Sequence, residues 1–539
     1  MSYRRVAAAL CVLALATMHP ALARRPQTDP NHLRIGVVRD VDNIDPLLST
    51  QAASSDLAQL IFSGLIRYDD RGEPIPDAAE AVPTRQNGGI SADGKTITYH
   101  LRRNVVFSDG VPLTAQDVVF TWHAVLNPAN NVPNHFPYDL AQDVVAKDRY
   151  TVVAHLREPN AAFVAFFMRC GTQGAILPEH LLGGKHDLNQ DPYNRQPIGS
   201  GPFVVTSYQP GSSVELARNP RWWGAKKPAL ERISYRFITN ENSLLIALRT
   251  HEIDFYYAAP EQQYRELQAI DGVHVTAQPF MSYEQVVFNT RRAPFDDVRV
   301  RRAAASAIDW NALARNVYLS VDLPGVTDVF PRSWAFDPSV KPYPYDLARA
   351  RALLDAAGWR PGPDGIRTRG GTRLTVMLRT VAGVIPRQNA EVQIQQQLRE
   401  VGFDVQVVNA PANLLFAPVG AGGVLAKGDF DAAIYGWTQA PDPADDEQTI
   451  GPDRVPPYGA NFSGLRDPAI GRLQREGAES YDRVRRKPAY VALQRREREL
   501  VPFETIVWRA NIDAISDDFH GFRPAVAVSD FWNPWDWSI

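Results

Sequence analysis

Between residues 373 and 410 the chain reads strand, helix, strand. The apolar run 373-RLTVMLRT-380 is followed by a loop with Gly383 and Pro386, and 387-RQNAEVQIQQQLREV-401 carries a helical pattern closed by Gly402. A second strand, 403-FDVQVVNA-410, completes the unit. Such a crossover forces its two strands parallel, which places this part of the molecule in the α/β class. Parallel sheets gather ligands beyond the carboxyl ends of their strands. The next strand, 430-FDAAIYGW-437, breaks into 438-TQAPDPADD-446, so this segment is a candidate lip of a binding cleft.

Other elements are legible on either side. The run 33-LRIGVVRD-40 reads as a buried strand and 41-VDNIDP-46 as the turn leaving it. In 94-GKTITYHLRR-103, Ile97, Tyr99 and Leu101 alternate as on a half-exposed strand. Thr114 caps 114-TAQDVVFTW-122, with Asp117 in its first turn, and the region from residue 62 reads as a compact α+β unit. Strands follow at 213–218 and 230–238, helices at 241–250 and 297–308, and a helix over 346–358 opens on Asp346 and stops at Gly358. The charged stretch 466–500 predicts a solvated helix, and 504-ETIVWRA-510 a closing strand.

At the start, Arg4 and Arg5 precede the apolar run 6–18, and Ala21-Leu22-Ala23 offers a small-residue cleavage site, so residues 1–23 read as a secretory leader. Cys11 lies inside the apolar run without the small residue that precedes a lipid-modified cysteine, and no later window approaches the ~18 apolar residues of a spanning helix. The expected product is soluble and periplasmic. It keeps Cys170 alone, which excludes an internal disulfide. Its formal charge, two units more negative than the full chain's -3, argues against nucleic acid or an anionic membrane surface as a partner.

No GxSxG elbow, P-loop or HExxH occurs, and Cys170 has no partner spaced as a zinc ligand. The glycines of 420-GAGG-423 lack the rest of a dinucleotide fingerprint. Nothing local argues for catalytic residues, a metal site or a cofactor.

The ordered blocks 42-DNIDP-46, 99-YHLRRNVVFSDGVPLTAQDVVFTW-122, 199-GSGPF-203, 219-NPRWWG-224 and 288-FNTRRAPFDDVRVRRA-303 resemble the extracytoplasmic solute-binding proteins of peptide/nickel-type ABC importers, solute-binding family 5. The resemblance implies a periplasmic binding protein type II-like fold, two lobes with a hinge plus an extra α+β domain. The first lobe is expected over 33–61, 198–282 and 505–539, the extra domain over 62–197 and the second lobe over 283–504. The crossings near 280–289 and 501–510 would form the hinge. The implied function is capture of a peptide or peptide-like solute by lobe closure and delivery, as a monomer, to an ABC permease and ATPase complex at the inner membrane. A periplasmic sensor or chaperone, or a hydrolase on the same fold, stands beside it as an alternative.

In peptide-binding members the loop after the equivalent strand carries an Asp three residues past the Trp. Counting from Trp437, that place holds Ala440, and Asp442-Pro443 resembles the family's structural Asp-Pro. Loss of that anion would forfeit a charge-assisted hydrogen bond to a ligand amine, about 1.5–3 kcal/mol. Blocked peptides, opine- or sugar-like conjugates and metal chelates therefore stand beside ordinary peptides as candidate ligands. For the pocket, Trp437 is expected as an apolar wall, with Thr438 and Gln439 as polar contacts. Thr380 and Val381 should approach the same cleft, as should Asn43, Tyr283, Asn461 and Phe462. Asp445 to Glu447 are expected to be solvated.

Overall fold

A computed structural model describes residues 29–49, 51–133, 135–171, 174–319, 321–527 and 530–539, apart from the side chain of Ala165. The leader expected at 1–23 lies outside the described residues. Eleven strands form one mixed sheet: β1 (His32–Val37), β2 (Phe203–Gln209), β3 (Ser213–Arg218), β4 (Arg232–Phe237), β5 (Phe255–Tyr256), β6 (Val273–Phe288), β7 (Leu323–Pro324), β8 (Thr375–Arg379), β9 (Asp404–Val407), β10 (Ala432–Thr438) and β11 (Phe503–Ser516). Their order is β9-β8-β10-β6-β11-β5-β1-β4-β3-β2, and β7 pairs with β11.

The two long strands organise everything else. β6 and β11 run antiparallel from Val273 opposite Ser516 to Val287 opposite Phe503. The segments expected at 280–289 and 501–510 are thus parts of two strands that extend well beyond them. Sequence patterning marked only these parts, because the rest of each strand is defined by its partner. The ladder is interrupted between Pro279 and Tyr283. There, the Met281 N–H donates to the Val526 carbonyl at 2.8 Å instead of to a strand neighbour.

The crossover unit forms as patterned. β8 and β9 pair in parallel, Thr375 opposite Asp404 through Leu378 opposite Val407, joined by a helix over Ile385–Arg399. β10 lies parallel on the other side of β8 and antiparallel to β6, with Thr438 opposite Ser282. In the other half of the sheet, β1 and β5 are parallel, and Tyr256 of β5 faces Ala514 of β11. The carboxyl ends of β1 and β5 therefore point toward the middle of the β6–β11 pair from one side, and those of β8 and β10 from the other. That opposition defines a cleft.

Two large cores flank it. One gathers Val286, Val300, Leu313, Leu378, Ile394, Ile434 and Ile506 around β8, β9 and β10. The other runs without interruption from Ile35, Ile233 and Phe531 into Ile97, Val118 and Phe163. The region 62–197 accordingly packs on the first half through a shared apolar core. It has its own antiparallel sheet, with Thr151–Leu156 between Thr96–His100 and Ala141–Asp148, and α1 (Ala115–Leu126) opens on a capping box in which the Thr114 N–H donates to Asp117 Oδ2 at 2.8 Å. The second helix of this region used below is α2 (Ala161–Phe166).

The stretch 466–500 is two helices, α3 (Pro468–Ala478) and α4 (Arg483–Leu500), each started by an Asp, at 467 and 482. It is not uniformly solvated. Arg486, inside the basic run, is 3% exposed because it bonds the cleft loop.

Candidate functional site

The site is built on the carboxyl end of β10. Trp437 is half-buried and Thr438 exposed at the strand's last positions. Trp437 lies opposite Tyr283, whose ring stands 4.8 Å from that of Trp508, and Phe330 follows at 5.2 Å. A row of aromatic rings thus crosses the middle of the β6–β11 pair, with Trp437 at its accessible end. Such rings offer large contact area at little cost in side-chain entropy.

Beyond Thr438 the loop is held by its own acids. The Gln439 N–H donates to the Met281 carbonyl at 2.8 Å, and its side-chain amide bonds Asp446. Asp442 caps the short turn Pro443–Asp446, accepting from the Ala444 N–H at 3.0 Å, and takes a two-pronged bond from Arg486 at 2.5 and 2.7 Å. Asp445 accepts from the Ala440 N–H at 3.1 Å. The acidic run is therefore not the solvated stretch the sequence suggests. Asp446 is 4% exposed, and Glu447 bonds Arg454 at 2.9 Å. The turn at Pro443 folds the acids back onto backbone N–H groups that would otherwise lack partners.

Their charges diverge accordingly. Burial alone would push Asp442 up, but Arg486 holds its carboxyl below the usual range. Burial raises Asp445 to about 6 against the bond from Ala440, and pushes Asp446 well up, with Asp328 adding to it.

Ala440, at the position where the resemblance leads one to expect an acid in peptide binders, makes apolar contacts. It packs with Ala444 and Ala478 of the second half and with Ala162 and Phe166 of α2. The first half and the loop also meet at Gly72, whose open side faces Pro441 and Val526.

Of the other expected pocket residues, Asn43 stands half-buried in the loop after β1, its side-chain oxygen accepting from the Asp45 N–H at 2.9 Å. Thr380 is fully buried, its hydroxyl donating to the Ile434 carbonyl at 2.7 Å. Val381 and Phe462 join an apolar cluster with Phe430 and Tyr435. Asn461 is fully buried and donates to the carbonyls of Gly451 and Leu465. Tyr283 is 2% exposed, and Gln439 is committed to Met281 and Asp446. Strand ends mark chain positions; they do not say which way each side chain turns.

Two groups near the cleft had no local signal. Arg169 lies over the Tyr68 ring at 5.3 Å, and its charge acts on Asp445. Arg509, in the middle of β11, is 38% exposed and reaches Glu261 at 3.4 Å, beside the buried pair Arg387–Glu284 at 2.8 and 2.9 Å. Both arginines occupy ordinary apolar-flanked stretches, so only the fold reveals them.

Comparison with known proteins agrees with this geometry. Residues 73–449 match the family described as bacterial extracellular solute-binding proteins, family 5 Middle. The chain is 25% identical over 507 residues to an oligopeptide-binding protein, AppA, of Bacillus subtilis, covering 93% of this chain and 90% of the relative. A dipeptide-binding protein of Pseudomonas aeruginosa is 26% identical, with 89% of this chain and 90% of the relative covered. Among solved structures, NikZ from Campylobacter jejuni in complex with Ni(L-His) superposes with a TM-score of 0.81 at 24% identity, over 95% of this chain and 100% of the other. That similarity bears on the fold alone.

Proposed function

The chain belongs to the bacterial extracellular solute-binding proteins of family 5, and from that premise we propose that it captures a peptide or peptide-like solute by closure of its two halves and delivers it to an ABC permease. It is the substrate-binding component of a peptide-type importer. One observation carries this: the carboxyl ends of parallel strands from both halves face each other across a single pair of continuous strands, with Trp437 and Thr438 presented between them. Ligand touching both halves favours the closed arrangement by its differential affinity for it.

The finer parts of the proposal are these. The leader 1–23 directs export to the periplasm, where the monomer works with a permease and ATPase complex at the inner membrane. The first lobe comprises 33–61, 198–282 and 505–539, the extra domain 62–197 and the second lobe 283–504. The hinge lies at the interruption of β6 after Pro279 and at the facing part of β11. Trp437 and Thr438 make first contact with the solute, supported by Asn43, and the buried residues Thr380, Val381, Gln439, Tyr283, Asn461 and Phe462 shape the wall behind them.

The relatives named above bind oligopeptides and dipeptides, and NikZ was solved with a nickel–histidine complex. The apolar packing of Ala440 supports a solute without a free α-amine, such as a blocked peptide, a conjugate or a chelate. Native mass spectrometry of the protein taken from its own periplasm, followed by a thermal-shift series of peptides, conjugates and chelates, tests this. A retained solute lacking a free amine is expected. Nanomolar binding of free di- to pentapeptides would overturn the amine argument while leaving capture intact. Unchanged affinity of Trp437→Ala for the retained solute would remove that ring from the site.

A further inference from the structure

Behind the cleft loop lie three carboxyl groups that the capture mechanism does not use. Asp328, Asp446 and Glu497 are 1%, 4% and 5% exposed. Among the described residues, no hydrogen-bond donor reaches either oxygen of Asp328, either oxygen of Glu497, or Oδ2 of Asp446. Val329, Ile450 and Leu493, close in sequence to the three acids, pack in one apolar cluster, and Asp328 and Glu497 each act on the other's charge; as two carboxyls they can be joined only by a proton that one of them carries. Asp446 is the end of the cleft loop, tied to Gln439 and through it to β6 at Met281.

The three come from separate parts of the second half. Glu497 is on α4, one turn past Gln494, which accepts from the Thr327 hydroxyl at 3.3 Å. Asp328 follows Thr327, whose carbonyl accepts from the Trp508 indole at 3.2 Å. The charged and titratable groups facing the cluster are Asp442 and Asp445 from the loop, Arg486 and Tyr490 from α4, and Tyr283 from β6. Arg486 is already committed to Asp442. Among the described residues, no group of three acid, His or Cys side chains is placed to hold a metal ion. Three carboxylates cannot all be ionised in such surroundings, because each buried charge would face only others of its own sign.

We propose that Asp328, Asp446 and Glu497 form a proton-holding lock that fixes the cleft loop 437–446 to the body of the second half and releases it when the protons are lost. Burial raises Asp328 to about 6, and burial with mutual repulsion pushes Asp446 and Glu497 well up. With folded values above unfolded ones, the lock is complete below the ordinary carboxyl range. It weakens as pH rises from about 4 through 6 and beyond. Its consequence for uptake rests on the capture proposal, since a loosened loop 437–446 would hold solute less well at alkaline pH.

The test uses ligand-free full chain, so that the lock and the capture reading fail separately. Hydrogen exchange of the amides of 439–447 is followed from pH 5 to pH 8 and corrected for its intrinsic pH dependence. Opening is expected to grow by up to about tenfold per pH unit for each proton lost. Asp328→Asn with Glu497→Gln should reduce that slope to the share left by Asp446. If the double variant does not fold, Asp446→Asn alone should reduce it. Equal protection at pH 5 and pH 8 in the wild type, or an unchanged slope in the variants, would overturn the lock. So would a calcium- or manganese-induced rise in Tm that Glu497→Gln removes, since it would assign the cluster to a metal. A pH-responsive loop in a protein that captures no solute would keep the lock and discard the capture reading.

Discussion

Asp442 and Asp446 sit at the two ends of one turn, four residues apart, and both are largely withdrawn from water. The first meets Arg486 in a two-pronged bond that favours its ionised form; the second bonds Gln439 and is pushed toward its protonated form by burial and the charge of Asp328. Burial is common to both, so burial alone does not decide the state of an acid. The partner decides it. One end of the cleft loop is fastened by opposite charges and the other by the absence of charge, and the two fastenings respond in opposite directions to pH.

The comparison breaks most directly at Arg486. It is 3% exposed and also donates to the Gly477 carbonyl and the Tyr490 hydroxyl, so Arg486→Met strands a buried Asp442 and several acceptors. A loss of about 3–5 kcal/mol is expected in urea unfolding at neutral pH. A loss below about 1 kcal/mol would mean that water replaces the pair.

The same substitution at the two acids should then give opposite signs. Asp442→Asn removes the anion that Arg486 needs and should cost about 2–4 kcal/mol at pH 7.5. Asp446→Asn keeps the shape, removes a group that must hold a proton, and should be neutral or stabilising at that pH. Below the ordinary carboxyl range the wild-type Asp442 is itself protonated, so the cost of Asp442→Asn should shrink as pH falls through its depressed value. Parallel denaturation curves at pH 7.5 and at pH values stepped below the ordinary carboxyl range read both effects, and equal costs for the two variants at pH 7.5 would dissolve the distinction.

Ala440→Asp sharpens it from the other side, by adding an acid at a position packed with apolar side chains. Ala162 and Phe166 close that position, so a cost of about 1–3 kcal/mol is expected, with no gain in binding of free-amine peptides. A variant that keeps its stability and gains such binding would show that the site needs only the acid to become a peptide amine site.

Much of the frame was legible before the fold. The βαβ unit over 373–410, the Asp346 start and Gly358 stop of one helix, and the Thr114–Asp117 capping box are local signals, and each is found where the pattern puts it. The site was legible in outline only. Trp437 and Thr438 follow from a strand end beyond a parallel sheet. That Thr380 and Asn461 turn inward to bond Ile434, Gly451 and Leu465 follows from partners 10 or 54 residues away for two of those contacts and 4 for the third. Composition misled at the two charged runs. A basic cluster and an acidic cluster each look solvated alone, and they become buried because Arg486 and Asp442 find one another across 44 residues.

Arg483 supplies the smallest and most discriminating expectation, because it lies one turn before Arg486 on the same helix and also makes a two-pronged bond. Its partner is Glu73 of the first half, at 2.8 Å through both nitrogens, but the two side chains are 45% and 50% exposed. Solvent screening should leave Arg483→Ala costing about 0–1 kcal/mol, and less at high salt, although its geometry rivals that of Arg486. Denaturation in low and high salt measures this. A cost near that of Arg486→Met would mean that bond geometry rather than exclusion of water sets the strength of these pairs, and the contrast between Asp442 and Asp446 would then need another cause. The predicted small cost has a further meaning: a contact between the two halves that is well shaped but weak can form on closure and part on release without holding the cleft shut.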